Sequence, residues 1–267
     1  MRVESAAPTE PFLWPGGPVG CLLVHGLTST PYEMRYLGER LRSAGHGVCG
    51  VQLAGHATSI ADLECCGRRE WFASVEEGLE RIAASSAQVV AIGLSLGALL
   101  VLRLAHEQAA KIQAVAVLST VLELASPWPA RLSKVLARAV PVLPQRLRFA
   151  RKDGSDIADP QARGVHPGYR SIPLRSVAEL IALQREVRAI LPSIRQPVLA
   201  VHSEHDHTAP LSNLEILRRT LPNLRRSVVL TASYHVVSVD AEREVVADEI
   251  ESFVAEVAAS GTDADAG

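Results

Sequence analysis

The chain has 267 residues, a length that one α/β domain reaches without a disulfide or metal staple. Apolar residues make up 48% and charged residues 21%, the balance of a globular protein and not of a disordered one. Lys plus Arg number 27 against 29 for Asp plus Glu, a formal net charge of −2, which excludes the basic excess of a dedicated nucleic-acid binder.

The first residues, Met1-Arg2-Val3-Glu4-Ser5, lack the charged-then-apolar order of a signal peptide. The most apolar stretch, Val89–Leu102, is too short to span a bilayer. The four cysteines, at 21, 49, 65 and 66, form no C-x-x-C pair, and a bridge between adjacent Cys65 and Cys66 is strained. They read as free thiols, and a cytoplasmic location is the expectation. Pro8, Pro11, Pro15 and Pro18 make residues 1–17 an extended lead-in.

From there short apolar runs alternate with periodic ones. Cys21–Val24, Gly47–Leu53, Gln88–Gly93, Gln113–Ser119, Pro197–His202 and Ser227–Leu230 have strand length and composition. Their nearly continuous apolar character suits strands covered on both faces of a parallel sheet. Helical spacing appears in Tyr32–Ser43, Trp71–Ala84, Ala98–Glu107, Leu211–Leu221 and Asp240–Val257, the last with Asp240 as candidate N-cap. This alternation predicts βαβ units and a doubly wound sheet, with core segments 18–120 and 195–257. Between Val121 and Ile194 no strand is evident, and prolines separate helical pieces. Residues 121–194 are therefore expected to form a helical cap over the C-terminal edge of the sheet, where open α/β sheets hold their sites. The small, acidic tail 258–267 is expected to fray.

Gly93-Leu94-Ser95-Leu96-Gly97 follows a predicted strand and opens a predicted helix. This is the G-x-S-x-G nucleophile elbow, in which glycines let strand and helix approach while the serine sits exposed on a strained turn. The five letters alone arise by chance in about one chain in ten of this length, so the strand-turn-helix context is what makes them informative. A serine needs a base. The loop after Pro197–His202 carries Glu204 and Asp206, and the loop after Ser227–Leu230 carries His235. Ser95, Asp206 and His235 thus stand in the order Ser, acid, His, each at the C-terminal end of a predicted strand. The oxyanion donors expected are the backbone N–H of Leu96, just after the serine, and that of Leu27 in the loop His25-Gly26-Leu27-Thr28.

On these residues the chain resembles the α/β-hydrolase superfamily, and within it the small bacterial carboxylesterases and monoacylglycerol lipases. The matching segments are His25–Leu41, Leu53–Leu63, Glu70–Leu79, Gly93–Gly97, Pro197–Pro210 and Ser233–Val254, so that the resemblance covers residues 18–257. Two departures are small: Ala57 in Gly55-His56-Ala57 where the family usually has glycine, and Ala98 where a further glycine usually follows the elbow. The resemblance implies cofactor-free serine hydrolysis of carboxylic esters. It favours Asp206 over Glu204 as the acid, because the family's acid stands four residues before a proline, here Pro210.

Several competing readings attach to the same residues. His202, His205 and His207 around Asp206 are weighed as a metal cluster and set aside, because a strand end offers no convergent ligand geometry at this spacing. His25 and His56 read as structural hydrogen-bonding residues. A haloalkane dehalogenase would carry Asp at position 95, whereas haloperoxidases and C–C hydrolases share the triad. A non-catalytic binding relative is disfavoured by the intact order. The expected substrates are esters of short to medium acyl chains, with monoacylglycerols as the alternative. In the cap, Arg131–Val140 reads as a basic amphipathic helix. It roofs the acyl pocket, or alternatively makes weak contact with an anionic membrane surface. No stable membrane insertion and no nucleic-acid partner are expected.

Overall fold

The computed structural model describes residues 7–126, 140 and 144–264. The predicted basic helix Arg131–Val140 therefore lies, apart from Val140, outside the described residues. The elements follow in the order β1 (Phe12–Trp14), β2 (Val19–Val24), α1 (Tyr32–Ser43), β3 (Gly47–Val51), α2 (Ile60–Cys65), α3 (Arg68–Ala83), β4 (Gln88–Leu94), α4 (Leu96–Glu107) and β5 (Ala114–Leu118). After them come β6 (Phe149–Arg151), α5 (Pro160–Val165), β7 (Ser171–Pro173), α6 (Leu174–Ile190), β8 (Val198–Ser203), α7 (Ser212–Thr220), β9 (Leu224–Leu230) and α8 (Arg243–Ala264).

Seven strands form one sheet in the order β1-β3-β2-β4-β5-β8-β9. Every pair is parallel except β1 with β3. The apolar runs are continuous because both faces are covered. Leu22, Val24, Ala91, Val115, Val117, Val198 and Ala200 point to the side of α3 and α4, and pack with Trp71, Phe72, Leu79 and Leu99. Their alternate neighbours, such as Leu23, Val90, Ile92, Ala116 and Leu118, point to the side of α1 and α8, and pack with Met34, Leu37, Ile250 and Phe253. Helix α4 is apolar nearly all round, and nine of its residues are buried, as a helix at the centre of one layer must be.

Parallel pairing brings the C-terminal ends of β2, β4, β5, β8 and β9 to one edge. Register sets them side by side, with Gly93 of β4 opposite both Val24 of β2 and Val117 of β5.

Four details differ from the sequence expectations. The lead-in contributes β1, which pairs antiparallel with β3 through Phe12↔Gly50 and Trp14↔Val48. The segment 121–194 holds strands after all: β6 and β7 form a two-stranded antiparallel sheet. Each is only three residues long, too short to display a period of two. Also in that segment, α6 packs Leu180, Leu183 and Val187 into the main core beside α4. Finally, the tail continues α8 as far as Ala264.

Candidate active site

The chain reverses at Ser95 between β4 and α4 with φ 55° and ψ −109°. That left-handed conformation costs energy in any residue bearing a Cβ. The glycines around it are a steric requirement: a Cβ on Gly97 would stand 2.1 Å from the Val24 carbonyl oxygen, and one on Gly93 2.3 Å from that of Gly97. The Ser95 N–H is anchored to the Leu118 carbonyl at 2.9 Å.

Asp206 and His235 meet this serine from the loops after β8 and β9. His235 Nδ1 donates to Asp206 Oδ2 at 2.7 Å, and Ser95 Oγ donates to His235 Nε2 at 2.8 Å. The other oxygen of Asp206, Oδ1, accepts the N–H groups of Thr208 at 2.9 Å and Ala209 at 2.7 Å. Ser95, Asp206 and His235 are each no more than 8% exposed.

Burial opposes the charged form of Asp206, but the facing His235, with smaller help from the Ala209 amide and His202, outweighs it and holds the carboxyl below its ordinary range. For His235 burial also opposes charge. The Asp206 carboxylate, with smaller help from Asp156 and Glu33, reverses the balance and raises its pKa above 6.5. His202, close by at 3.6 Å from Asp206, donates from Nε2 to the Ala209 carbonyl at 2.8 Å instead. Burial is the largest influence on it and lowers its pKa.

The other histidines and acids of that loop disperse. Glu204 is exposed and faces His205, and His207 binds Asp156 through Nδ1 at 2.8 Å. Among the described residues no group of three His, Cys, Asp or Glu is placed to hold a metal ion. His25 accepts the Leu53 N–H and contacts the Gly26 carbonyl, while His56 contacts the Ala54 carbonyl and is driven by burial to a pKa of about 3.

Leu96 is the first residue of α4, so its N–H has no intrahelical acceptor. Gly26 lies against the serine: a Cβ built on it would stand 3.5 Å from Ser95 Cβ. Leu27 follows it in the same turn, and Thr28 takes a left-handed φ of 66°.

This turn is pinned by residues that sequence reasoning passed over. Glu33, on the first turn of α1 and 3% exposed, accepts the Gly26 N–H at 2.9 Å. Its other oxygen accepts His166 Nε2 of the cap at 3.0 Å. His166 Nδ1 takes up the Ser155 hydroxyl and the Gly168 N–H, which leaves Nε2 as the donor. Burial by itself would raise the Glu33 pKa, but His166 and the Gly26 amide hold it at about 2.

Two more acids tie the segment 154–159 to the loops after β8 and β9. The Asp156 main-chain carbonyl accepts the N–H groups of His235 and Val236, both at 3.1 Å. Its carboxylate accepts the His207 N–H and the Thr208 hydroxyl. Asp240 is not the N-cap expected of it: α8 begins later, at Arg243. Its buried carboxylate instead accepts four N–H groups, from Ala158 and Asp159, from Tyr234 beside His235, and from Ala241. The only sequence signal for these acids is a charge set among apolar or small neighbours, which does not tell its partners.

The four cysteines are free thiols, with Cys21 and Cys49 buried and Cys65 exposed. No helix among the described residues is long and apolar enough to cross a membrane.

Comparison with known proteins gives consistent matches over nearly the whole chain. A family model described as serine aminopeptidase, S33, matches residues 20–242. The thermostable monoacylglycerol lipase of Bacillus sp. (strain H-257) is 32% identical over 247 residues, covering 92% of this chain and 94% of that protein. A carboxylesterase of Bacillus subtilis (strain 168) is 24% identical over 92% of this chain and 96% of its own length. Among solved structures, one from the metagenome-derived lipolytic enzymes LipS and LipT superposes with a TM-score of 0.84 at 24% identity, covering 93% and 98% of the two chains. The monoacylglycerol lipase of Paleococcus ferrophilus follows at 0.75 and 20%, covering 93% and 99%.

Proposed function

The chain belongs to the S33 family of α/β-hydrolases, and on that premise we propose that it hydrolyses carboxylic esters through an acyl-enzyme formed on Ser95. The observation that carries this reading is the unbroken relay from Asp206 through His235 to Ser95, with steps of 2.7 and 2.8 Å.

In this mechanism His235 Nε2 takes the hydroxyl proton as Ser95 Oγ attacks the ester carbonyl. Asp206 fixes the imidazole orientation and favours the imidazolium that forms. The Leu27 and Leu96 N–H groups receive the oxyanion, in a place already shielded from water. His235 then protonates the departing alcohol, and the acyl-enzyme forms as the C–O bond breaks. A water molecule enters, His235 removes its proton, and the acid leaves with Ser95 restored. Nothing in the sequence calls for a cofactor.

Short to medium acyl chains on a small alcohol are the primary substrate reading. A monoacylglycerol lipase is the second, favoured by the 32% identity to the Bacillus sp. enzyme across nearly all of both chains. Hydrolysis of p-nitrophenyl esters from acetate to palmitate, with monoacylglycerols and an aminoacyl p-nitroanilide alongside, separates them. A peak at short chains supports the esterase. Turnover of long-chain monoacylglycerols with a long-chain optimum supports the lipase. Cleavage of the anilide alone contradicts both.

A further inference from the structure

The mechanism leaves one enclosed positive charge without a task. Lys152 follows β6 in the cap, and its Nζ donates to Thr28 Oγ1 at 2.6 Å. Thr28 is the residue after Leu27, is 2% exposed, and its carbonyl accepts the Tyr169 N–H of the cap at 2.8 Å. Burial lowers the Lys152 pKa, yet the residue as a whole stays partly open to solvent, which leaves a ligand a way in.

An ammonium has three donors, and among the described residues only the Thr28 hydroxyl takes one. No carboxylate among them pairs with it within 4.0 Å. The negative charges it feels are Glu33 and Asp156, and both are engaged elsewhere, Glu33 by His166 and Gly26, Asp156 by His207 and Thr208. A cation drawn out of water without a contact partner costs stability unless something compensates. The Thr28 hydroxyl, while accepting from Lys152, still has its own proton to give. The ammonium and the hydroxyl thus lie 2.6 Å apart with donor protons to spare, one residue along the chain from Leu27.

We propose that Lys152 and Thr28 form a subsite for an anionic oxygen group, a carboxylate or phosphate, carried by the ester substrate. This rests on the esterase reading, since it takes the substrate carbonyl to lie at the Leu27 N–H. A lysine suits the task because its compact charge and flexible stem accept an anion without a fixed geometry. The competing role is a plain tie between cap and oxyanion loop, with no bearing on substrate charge.

The test compares matched esters with and without the charge. On the acyl side these are mono-p-nitrophenyl glutarate and p-nitrophenyl valerate. On the alcohol side they are lauroyl lysophosphatidate and monolauroylglycerol. The readout is the ratio of kcat/KM, charged over neutral, in wild type, Lys152→Met and Lys152→Arg. In one of the two pairs Lys152→Met lowers that ratio by about tenfold to a hundredfold, the loss of a charge-assisted hydrogen bond, and Lys152→Arg largely retains it. The responding pair tells which side of the ester bears the anion. A ratio unchanged in both pairs overturns the subsite and leaves the esterase reading intact.

Inhibition of the unmodified enzyme gives a second reading that does not depend on a variant folding. Glutarate or glycerol phosphate should compete with substrate more strongly than glutaramide or glycerol, and equal inhibition contradicts the subsite. Failure of the wild type to hydrolyse any ester, with no phosphonate captured at Ser95, overturns both proposals together.

Discussion

The main-chain carbonyl of Asp156 accepts the N–H of His235 at 3.1 Å, so a residue between β6 and α5 sets the backbone on which the proposed base is mounted. The Asp156 carboxylate meanwhile holds the His207 N–H and the Thr208 hydroxyl, neighbours of Asp206 in sequence. One residue of the segment between β5 and β8 thus braces both loops behind Ser95. The segment 154–159 thereby supports the loop that carries His235.

That brace has an electrical side. The His235 pKa lies above 6.5 because carboxylates, Asp206 first and Asp156 after it, outweigh burial. The base works only when neutral, so kcat/KM should rise with pH along a limb lying above 6.5. Asp156→Asn removes one of the negative charges, and the limb should move to lower pH. Asparagine keeps an acceptor oxygen for the His207 N–H and the Thr208 hydroxyl but sets an amide NH2 where Asp156 Oδ1 faces His207 Nδ1 at 2.8 Å, and kcat should fall by no more than about tenfold through any shift of the His235 imidazole. A pH–rate profile of both proteins checks this, and an unmoved limb would show that Asp156 acts by packing alone.

Glu33 gives a stability prediction. Its folded pKa of about 2 lies below the ordinary 4.5, so the carboxylate contributes stability that is present above about 4.5 and lost as pH falls toward 2. The size is about 3 kcal/mol at neutral pH. Glu33→Gln should lose about this much in urea denaturation at pH 7, and the gap from wild type should narrow steadily below pH 4.5. A gap of constant size across that range would mean that the carboxylate charge is not the cause.

The elbow tolerates no extra atom at Gly97. A methyl there meets the Val24 backbone oxygen at 2.1 Å, and a backbone atom in a central strand cannot step aside. Gly97→Ala should destabilise by about 3 kcal/mol or more and displace Ser95, with ester hydrolysis falling further than stability. Denaturation midpoints with parallel activity assays measure both effects. Wild-type stability in this variant would contradict the close approach of β4, α4 and β2.

Asp240 ties residues 158 and 159 to the loop after β9 through the N–H groups of Ala158, Asp159 and Tyr234, and accepts the Ala241 N–H as well. Asp240→Ala strands those donors in a largely buried place, at a cost of about 3 to 5 kcal/mol. Hydrogen exchange should show Ala158, Asp159 and Tyr234 opening together. Independent protection of the cap and base-loop amides would argue that another contact joins them.

Much of this was legible from the chain itself, for identifiable reasons. Strand and helix periods located the sheet because each run buries side chains on a fixed face; Tyr32–Ser43 matches α1 residue for residue. The elbow was legible because its steric requirement admits only glycine on either side of Ser95. His235 followed from its strand end and chain order, whereas the choice of Asp206 over Glu204 in the same loop needed the family resemblance. The cap was opaque for a different reason. Its two short strands carry no period, and the acids that brace it reach partners far along the chain: 51 residues separate Asp156 from the His207 N–H, 82 separate Asp240 from the Ala158 N–H, and 133 separate Glu33 from the His166 ring. Asp240 misled because an acid before a helix fits an N-cap as well as it fits a buried anchor. Partners remote in sequence leave no local pattern.

The most direct measurement is hydrolysis of p-nitrophenyl esters by wild type and Ser95→Ala, paired with fluorophosphonate labelling and mapping of the modified residue. Ester turnover by the wild type, its loss by several orders of magnitude in the variant, and a single phosphonate on Ser95 are the expected results. Turnover that survives Ser95→Ala, or a label carried by another residue, would contradict Ser95 as the nucleophile.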